Sequence, residues 1–169
     1  SADKNKPLAL DLKDYCFSGD LTIKTDNSYT GGTVISGGRI IMDARDALGS
    51  GPITFDGGSL VYGDGVGTDL SDRLYQGTGF VNVDINGNNV TWANSYESSF
   101  NKTYNISDSA GKDSKGSLTI SNISSVANII SNGEGTNVVL QTSAELDSIG
   151  GNGDFTTNLT GKLTIGSIQ

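Results

Sequence analysis

The 169-residue sequence contains no histidine and a single cysteine. Without histidine, Ser-His-Asp and Cys-His arrangements are excluded and most zinc sites are removed. The GxSxG serine elbow of esterases is missing as well. Cys16 can form no intrachain disulfide and has no base partner, so a passive or capping role is expected. Positive charge is scarce: 11 Lys and Arg, scattered, stand against 19 Asp and Glu, for a net charge of −8. A surface of that sign repels a phosphate backbone, which argues against nucleic acid as a partner. No apolar run approaches the roughly 18 residues of a membrane span, and no signal peptide is visible. Lack of disulfides suits the cytosol and a disulfide-free bacterial surface protein equally.

What the chain has in quantity is glycine, 24 residues, among abundant Ser, Thr and Asn. There is no Gly-X-Y period, which excludes collagen, and the apolar residues alternate, which argues against disorder. Many short strands joined by tight turns, an all-β protein, is the expected class.

The stretch YTGGTVISGGRIIMDARDALGSGPITFDGGSLVYG, from Tyr29, carries a repeat. Shifted by 20 positions, Gly31 falls on Gly51, Gly37 on Gly57 and Gly38 on Gly58. At the same lag Thr33 falls on Ile53, Ile35 on Phe55, Ile40 on Leu60 and Met42 on Tyr62. Within each copy the apolar residues have period two, the mark of a strand with one buried face. A lone hairpin does not require a constant lag. A coil does, because residue i then lies about 4.8 Å above residue i−20, at inter-strand spacing. The reading is a right-handed parallel β-helix with about 20 residues per rung over residues 19–169, preceded by a cap or lead-in at 1–18. Gly32 and Gly49 belong to the same turns as the aligned glycines.

Further along, LTI recurs as GDLTI at 19–23, GSLTI at 116–120 and GKLTI at 161–165, which suggests a unit of two rungs plus a loop. Strands are expected at 80–85, 90–93, 126–131 and 137–141, with turns at 86–89 and 131–137. Leu60 and Tyr62 find apolar partners in Val81 and Val83, a lag of 21. The sequence stops at LTIGSIQ, just after a repeat begins, and a longer parent protein is expected.

Residues 19–62 resemble the passenger-associated repeat of bacterial autotransporters, also called the autotransporter-associated β-strand repeat. The likeness is carried by LTI at 21–23, NSYTGGT at 27–33, GG-x-I at 37–40, ALGSGPIT at 47–54 and GGSLV at 57–61. It implies a β-helical stalk in a large exported protein of a diderm bacterium, at the cell surface or secreted. In that family the repeat is linked to passenger secretion and folding, and passengers include adhesins, autoaggregation factors, proteases and esterases. The implied partners are the rest of the passenger and surface glycans or proteins of a host or neighbouring cell. No catalytic residue and no cofactor carries over.

Two other functions stay open. Polysaccharide lyases and glycosidases share the β-helix and need carboxylates, or a basic residue with bound metal, gathered on one outer face. Asp84 is the candidate, pointing outward if Val81, Val83 and Ile85 point in; a solubilising role is the plainer reading. A calcium-dependent adhesion module would use Asp64, Asp69 and Asp72, whose spacing is not an EF-hand, or GGNGD at 150–154. A solvated loop is the plainer reading there. Trp92 alternates with Val90 and is expected in the core rather than as a sugar platform. Thr22, Thr54, Thr119 and Thr164 are expected on strand surfaces. Sequons at Asn89, Asn101, Asn105, Asn122 and Asn158 carry no weight in so Asn/Ser/Thr-rich a chain.

Overall fold

A computed structural model describes residues 10–11, 18–93, 102–121, 127–133, 135–141, 144–159 and 163–169. Among them there is no helix, and the strands wind as a parallel solenoid of about 6 turns at about 20 residues per rung. The strands are numbered β1 to β16 in chain order. One wall is an eight-stranded sheet of β2 (Asp20–Ile23), β4 (Arg39–Met42), β6 (Ser59–Tyr62), β8 (Val81–Asp84), β10 (Lys102–Ser107), β12 (Ala127–Asn132), β14 (Ala144–Gly150) and β16 (Leu163–Ile168). A second sheet serves the first half: β1 (Leu10–Asp11), β3 (Thr33–Ile35), β5 (Ile53–Phe55) and β7 (Leu74–Gln76). A third serves the second half: β9 (Asn89–Trp92), β11 (Ser117–Ile120), β13 (Asn137–Leu140) and β15 (Asp154–Thr157).

The register follows from the alternation. On β5, Ile53 and Phe55 are buried and Thr54 is half-buried. On β4, Ile40 and Met42 are buried and Arg39 is exposed. Each inward residue then lies on its counterpart one rung away: Ile35 on Phe55 and Thr33 on Ile53, Ile40 on Leu60 and Met42 on Tyr62. Slipping any strand by one residue would turn its apolar set to solvent. One continuous core results, running from Ile35 and Ile40 to Val138, Leu140 and Leu146.

The two glycine pairs stack, but they do not share a backbone conformation. Gly38 has φ 59° in the first copy, whereas in the second it is the leading glycine, Gly57, that is left-handed at 122°. Gly58 is needed instead for room, since a Cβ there would stand 2.8 Å from the Gly37 carbonyl oxygen and 2.6 Å from the Ile35 side chain. In the second pair one glycine turns the chain and its partner lets the rungs close up.

Beyond Tyr62 the lag departs from the reading above. Leu60 pairs with Val83, not Val81, because the β7–β8 corner (77–80) is longer than the β5–β6 corner (56–58) and the 63–73 arm has also grown. The LTI phrases are not one repeat unit either. The first and last form β2 and β16 of the long sheet, but Leu118–Ile120 lies in β11 of the third sheet. Leu-Thr-Ile is simply what a short strand with one buried face requires, wherever it sits. Within the 1–18 segment, Leu10 and Asp11 pair in parallel with Thr33 and Val34. Cys16, Asn101 and Asn122 lie outside the described residues.

The second wall changes sides midway. One turn, β7–β8–β9, contributes to all three sheets; before it the long sheet is backed by the second sheet, and after it by the third. Before the switch, the place of the third sheet is taken by irregular arms whose Ala47, Leu48 and Leu70 are buried in the same core.

Candidate functional site

Several carboxylates and amides of this acidic chain tie one rung to the next. The Asp46 N–H donates to Asp26 Oδ1 at 2.8 Å, and the Thr78 N–H to Asp56 Oδ1 at 3.1 Å, where the Thr78 hydroxyl also binds. The Ala93 N–H donates to Asp69 Oδ2 at 2.8 Å, and the Gly87 N–H to Asp108 Oδ1 at 2.8 Å. Each carboxylate caps a backbone donor at a corner, where the strand ladder has ended and a partner would otherwise be lacking.

Asp84 corrects the expectation made for it. It is buried, 7% exposed, and its Oδ1 accepts the N–H groups of Asn86 and of Ser109 one rung on, both at 2.9 Å. It lies on the outer side of β8, but the β10–β11 corner reaches back over it. Asp69 is likewise engaged, accepting the N–H and hydroxyl of Ser71 as well as Ala93. Asp64 and Asp72 are exposed. Among the described residues no three acidic or cysteine side chains come together to hold a metal ion. Asp69 borders a groove of about 610 Å³ that also touches Arg45, Asp46, Val66 and Thr68.

Trp92 is in the core, 3% exposed. Its Nε1 donates to Tyr62 Oη at 3.3 Å, the Tyr62 hydroxyl donates to the Thr68 carbonyl at 3.1 Å, and the Tyr104 ring stands 5.7 Å away. Burial pushes the Tyr62 phenol well above its ordinary pKa, so it stays a neutral donor. Tyr29 Oη and Thr33 Oγ1 share a hydrogen bond of 2.7 Å, and the Tyr29 carbonyl accepts the Ser50 N–H. Gly49, left-handed at φ 52°, and Gly51 are held close there; a Cβ on Gly51 would meet Gly32 N at 2.4 Å. Gly31, Gly32 and Gly37 complete these corners.

Three residues that pattern reading passed over hold the switch in walls. Asn88 is buried; its amide donates to the Gly63 and Ile85 carbonyls, and its oxygen accepts the Gly65 N–H. Arg73 spans a rung, donating through Nε to the Gly51 carbonyl and through Nη2 to that of Leu48. Partial burial draws its guanidinium below the ordinary value. Lys102, 5% exposed, donates to the Leu74 carbonyl at 2.7 Å, over the Tyr75 ring, while Gln76 Oε1 accepts the Thr103 N–H. Side chains thus finish the edge of the second sheet where its backbone pairing stops. Nothing in period or composition marks these positions, because apart from the local bond from Asn88 to Ile85 the partners named are more than 20 residues away. By contrast, Asp20 and Arg39 form an exposed bidentate pair, and that hydrogen bonding holds the Asp20 carboxyl below the usual carboxylate range. Such surface pairs contribute little.

Burial pushes the Lys102 ammonium down to about 8, from an ordinary 10.5. Between those values the unfolded chain still binds a proton that the folded chain has released. Stability therefore rises with pH through that window, and the cost of the buried charge is fully present below it. Urea unfolding of the chain and of Lys102→Met at intervals from pH 7 to 10.5 checks this. The difference in midpoint between the two should shift in favour of the native lysine as pH rises; a constant difference would show that Lys102 does not titrate in the fold.

No family model matches the chain, and no solved structure matches it. A curated protein that does match is the adhesin BmaC autotransporter of Brucella suis biovar 1 (strain 1330), 46% identical over 54 residues. The match covers 31% of this chain and 2% of that protein, so the chain spans a small fraction of its relative's length. A parallel β-solenoid with a stretch of this similarity fits an autotransporter passenger.

Proposed function

We propose that this chain is a non-catalytic stalk segment of a surface-exposed or secreted autotransporter-type passenger, built on the autotransporter-associated β-strand repeat. It supports export and folding of the passenger and contributes to adhesion. The observation that carries the reading is the eight-stranded sheet in which successive parallel strands hydrogen-bond from β2 to β16. In such a ladder each rung supplies the donors, acceptors and apolar floor that the next rung needs. A chain emerging through an outer membrane can therefore fold one rung at a time, and each folded rung hinders backsliding. The rest of the passenger and the surfaces of host or neighbouring cells are the partners in this reading. Asp26, Asp56, Asp69, Asp84 and Asp108 are occupied in capping backbone donors, so these carboxylates lend a glycosidase reading no support.

The test is display in a diderm bacterium, with the chain placed between a signal peptide and a translocator barrel. Intact cells should expose the chain as a protease-resistant fragment, and Phe55→Asp, which puts a charge in the core, should abolish that fragment. A native chain held in the periplasm while the barrel inserts normally would overturn the proposal.

A further inference from the structure

The corners that follow the long sheet differ in length, and the difference makes a groove. β10 ends at Ser107 and β11 begins at Ser117, so that corner spans 108–116. One rung on, only 133–136 separate β12 from β13, and one further only 151–153 separate β14 from β15. The long corner overhangs the two short ones, and a groove of about 420 Å³ lies between them. Lys112 and Lys115 line it from above, with Asn137, Asp154 and Thr156 below.

The overhang is rigid. Asp108 accepts the Ala110 N–H and the Ser114 hydroxyl, the Ser114 N–H returns to the Gly111 carbonyl, and the Gly116 N–H donates to Ser114 Oγ. Beneath it, Gly135 is left-handed at φ 90°, and a Cβ there would meet the Gly111 carbonyl oxygen at 2.5 Å. The lysine backbones are thus held before any ligand arrives, which lowers the ordering cost of binding. Among the described residues neither lysine side chain has an ion-pair or hydrogen-bond partner, in a chain of net charge −8. Thr156 Oγ1 donates to Asn137 Oδ1, which leaves the Asn137 amide nitrogen as a donor.

We propose that this groove binds a carboxylated saccharide, its acid group on Lys112 and Lys115 and its hydroxyls on Asn137, Thr156 and Asp154. The mixed lining argues for such a ligand over a simple anion. Two cations match a carboxylate, whereas Asp154 repels an anion but accepts from sugar hydroxyls. The inference rests on the adhesive part of the reading above and gives it a ligand class.

The experiment is a glycan array probed with the purified full chain, carrying sialic-acid and uronic-acid oligosaccharides beside their neutral counterparts. Its two acidic arms separate the sources of the carboxylate. Acidic glycans of at least one arm should be retained, more weakly as salt rises, and neutral ones should not. Lys112→Gln with Lys115→Gln should lose about tenfold or more, as for removal of charge-assisted bonds, while Lys24→Gln, an exposed lysine elsewhere, keeps full binding. Asp154→Asn should also weaken binding; general attraction to the lysines would instead strengthen it. Absence of acidic glycan binding, native-like binding by the double variant, or tighter binding by Asp154→Asn would each overturn the proposal. Surface display of the double variant should equal that of the native chain, so failure of the groove and failure of the stalk are told apart.

Discussion

Replacing Phe55 with Ala should lower the stability of the solenoid by about 3–5 kcal/mol, the range for a buried aromatic truncated to Ala. Phe55 is fully buried on β5, between Ile35 of the preceding rung and Gln76 of the next. The rungs above and below are fixed by backbone hydrogen bonds, so neither can sink into the space a lost ring leaves, and the cavity term stays large. Thr54→Ala on the same strand changes a half-buried, outward residue and should fall within about 0.5 kcal/mol. Urea unfolding followed by circular dichroism measures both. Equal effects at the two positions would mean that the faces of β5 have been assigned wrongly.

Asn88 carries the second large effect. Asn88→Ala removes hydrogen bonds of 3.0 Å to the Gly63 carbonyl, 2.8 Å to that of Ile85 and 2.9 Å from the Gly65 N–H. The groups left behind sit at a covered corner, and each costs about 1–3 kcal/mol when stranded. A total loss of about 2–4 kcal/mol is expected, some groups finding water. Asn88→Asp separates this account from mere loss of volume. It keeps the shape but sets a carboxylate oxygen against two carbonyls, so at neutral pH it should be worse than Ala. Amide hydrogen exchange adds a local readout: the Gly65 N–H should lose protection in Asn88→Ala. Stability unchanged in both variants would mean that the switch between walls does not depend on this amide.

The first rungs are legible because the sequence spells them at constant lag. Ile35, Ile40 and Met42 meet Phe55, Leu60 and Tyr62 at a step of 20, as the aligned glycines suggest. Legibility fades where corners change length. Leu60 reaches Val83 only through two enlarged connections, and no local signal says on which side of a corner an extra residue is absorbed. The LTI phrases misled for a related reason. They report that a strand has a buried face, not which sheet that face belongs to, and Leu118 came to lie in the third sheet while Leu21 lies in the first.

For the polar residues the limits are sharper. An outward Asp on a strand with one buried face reads as solubilising, yet Asp84 is buried by a corner more than 20 residues further along. The same holds for Lys102, whose bond to the Leu74 carbonyl spans 28 residues. Lys112 and Lys115 look like ordinary surface charges until three corners of unequal length are stacked.

Period-two alternation and glycine at a fixed spacing were enough to decide that this chain coils into parallel rungs, since those features act within a rung or between neighbours. The change of wall at β7–β9, the capping of each rung by acids from another, and the groove under the 108–116 corner were decided only in three dimensions. They depend on how insertions accumulate along the axis, and that sum is set by packing across rungs rather than by any one stretch of residues.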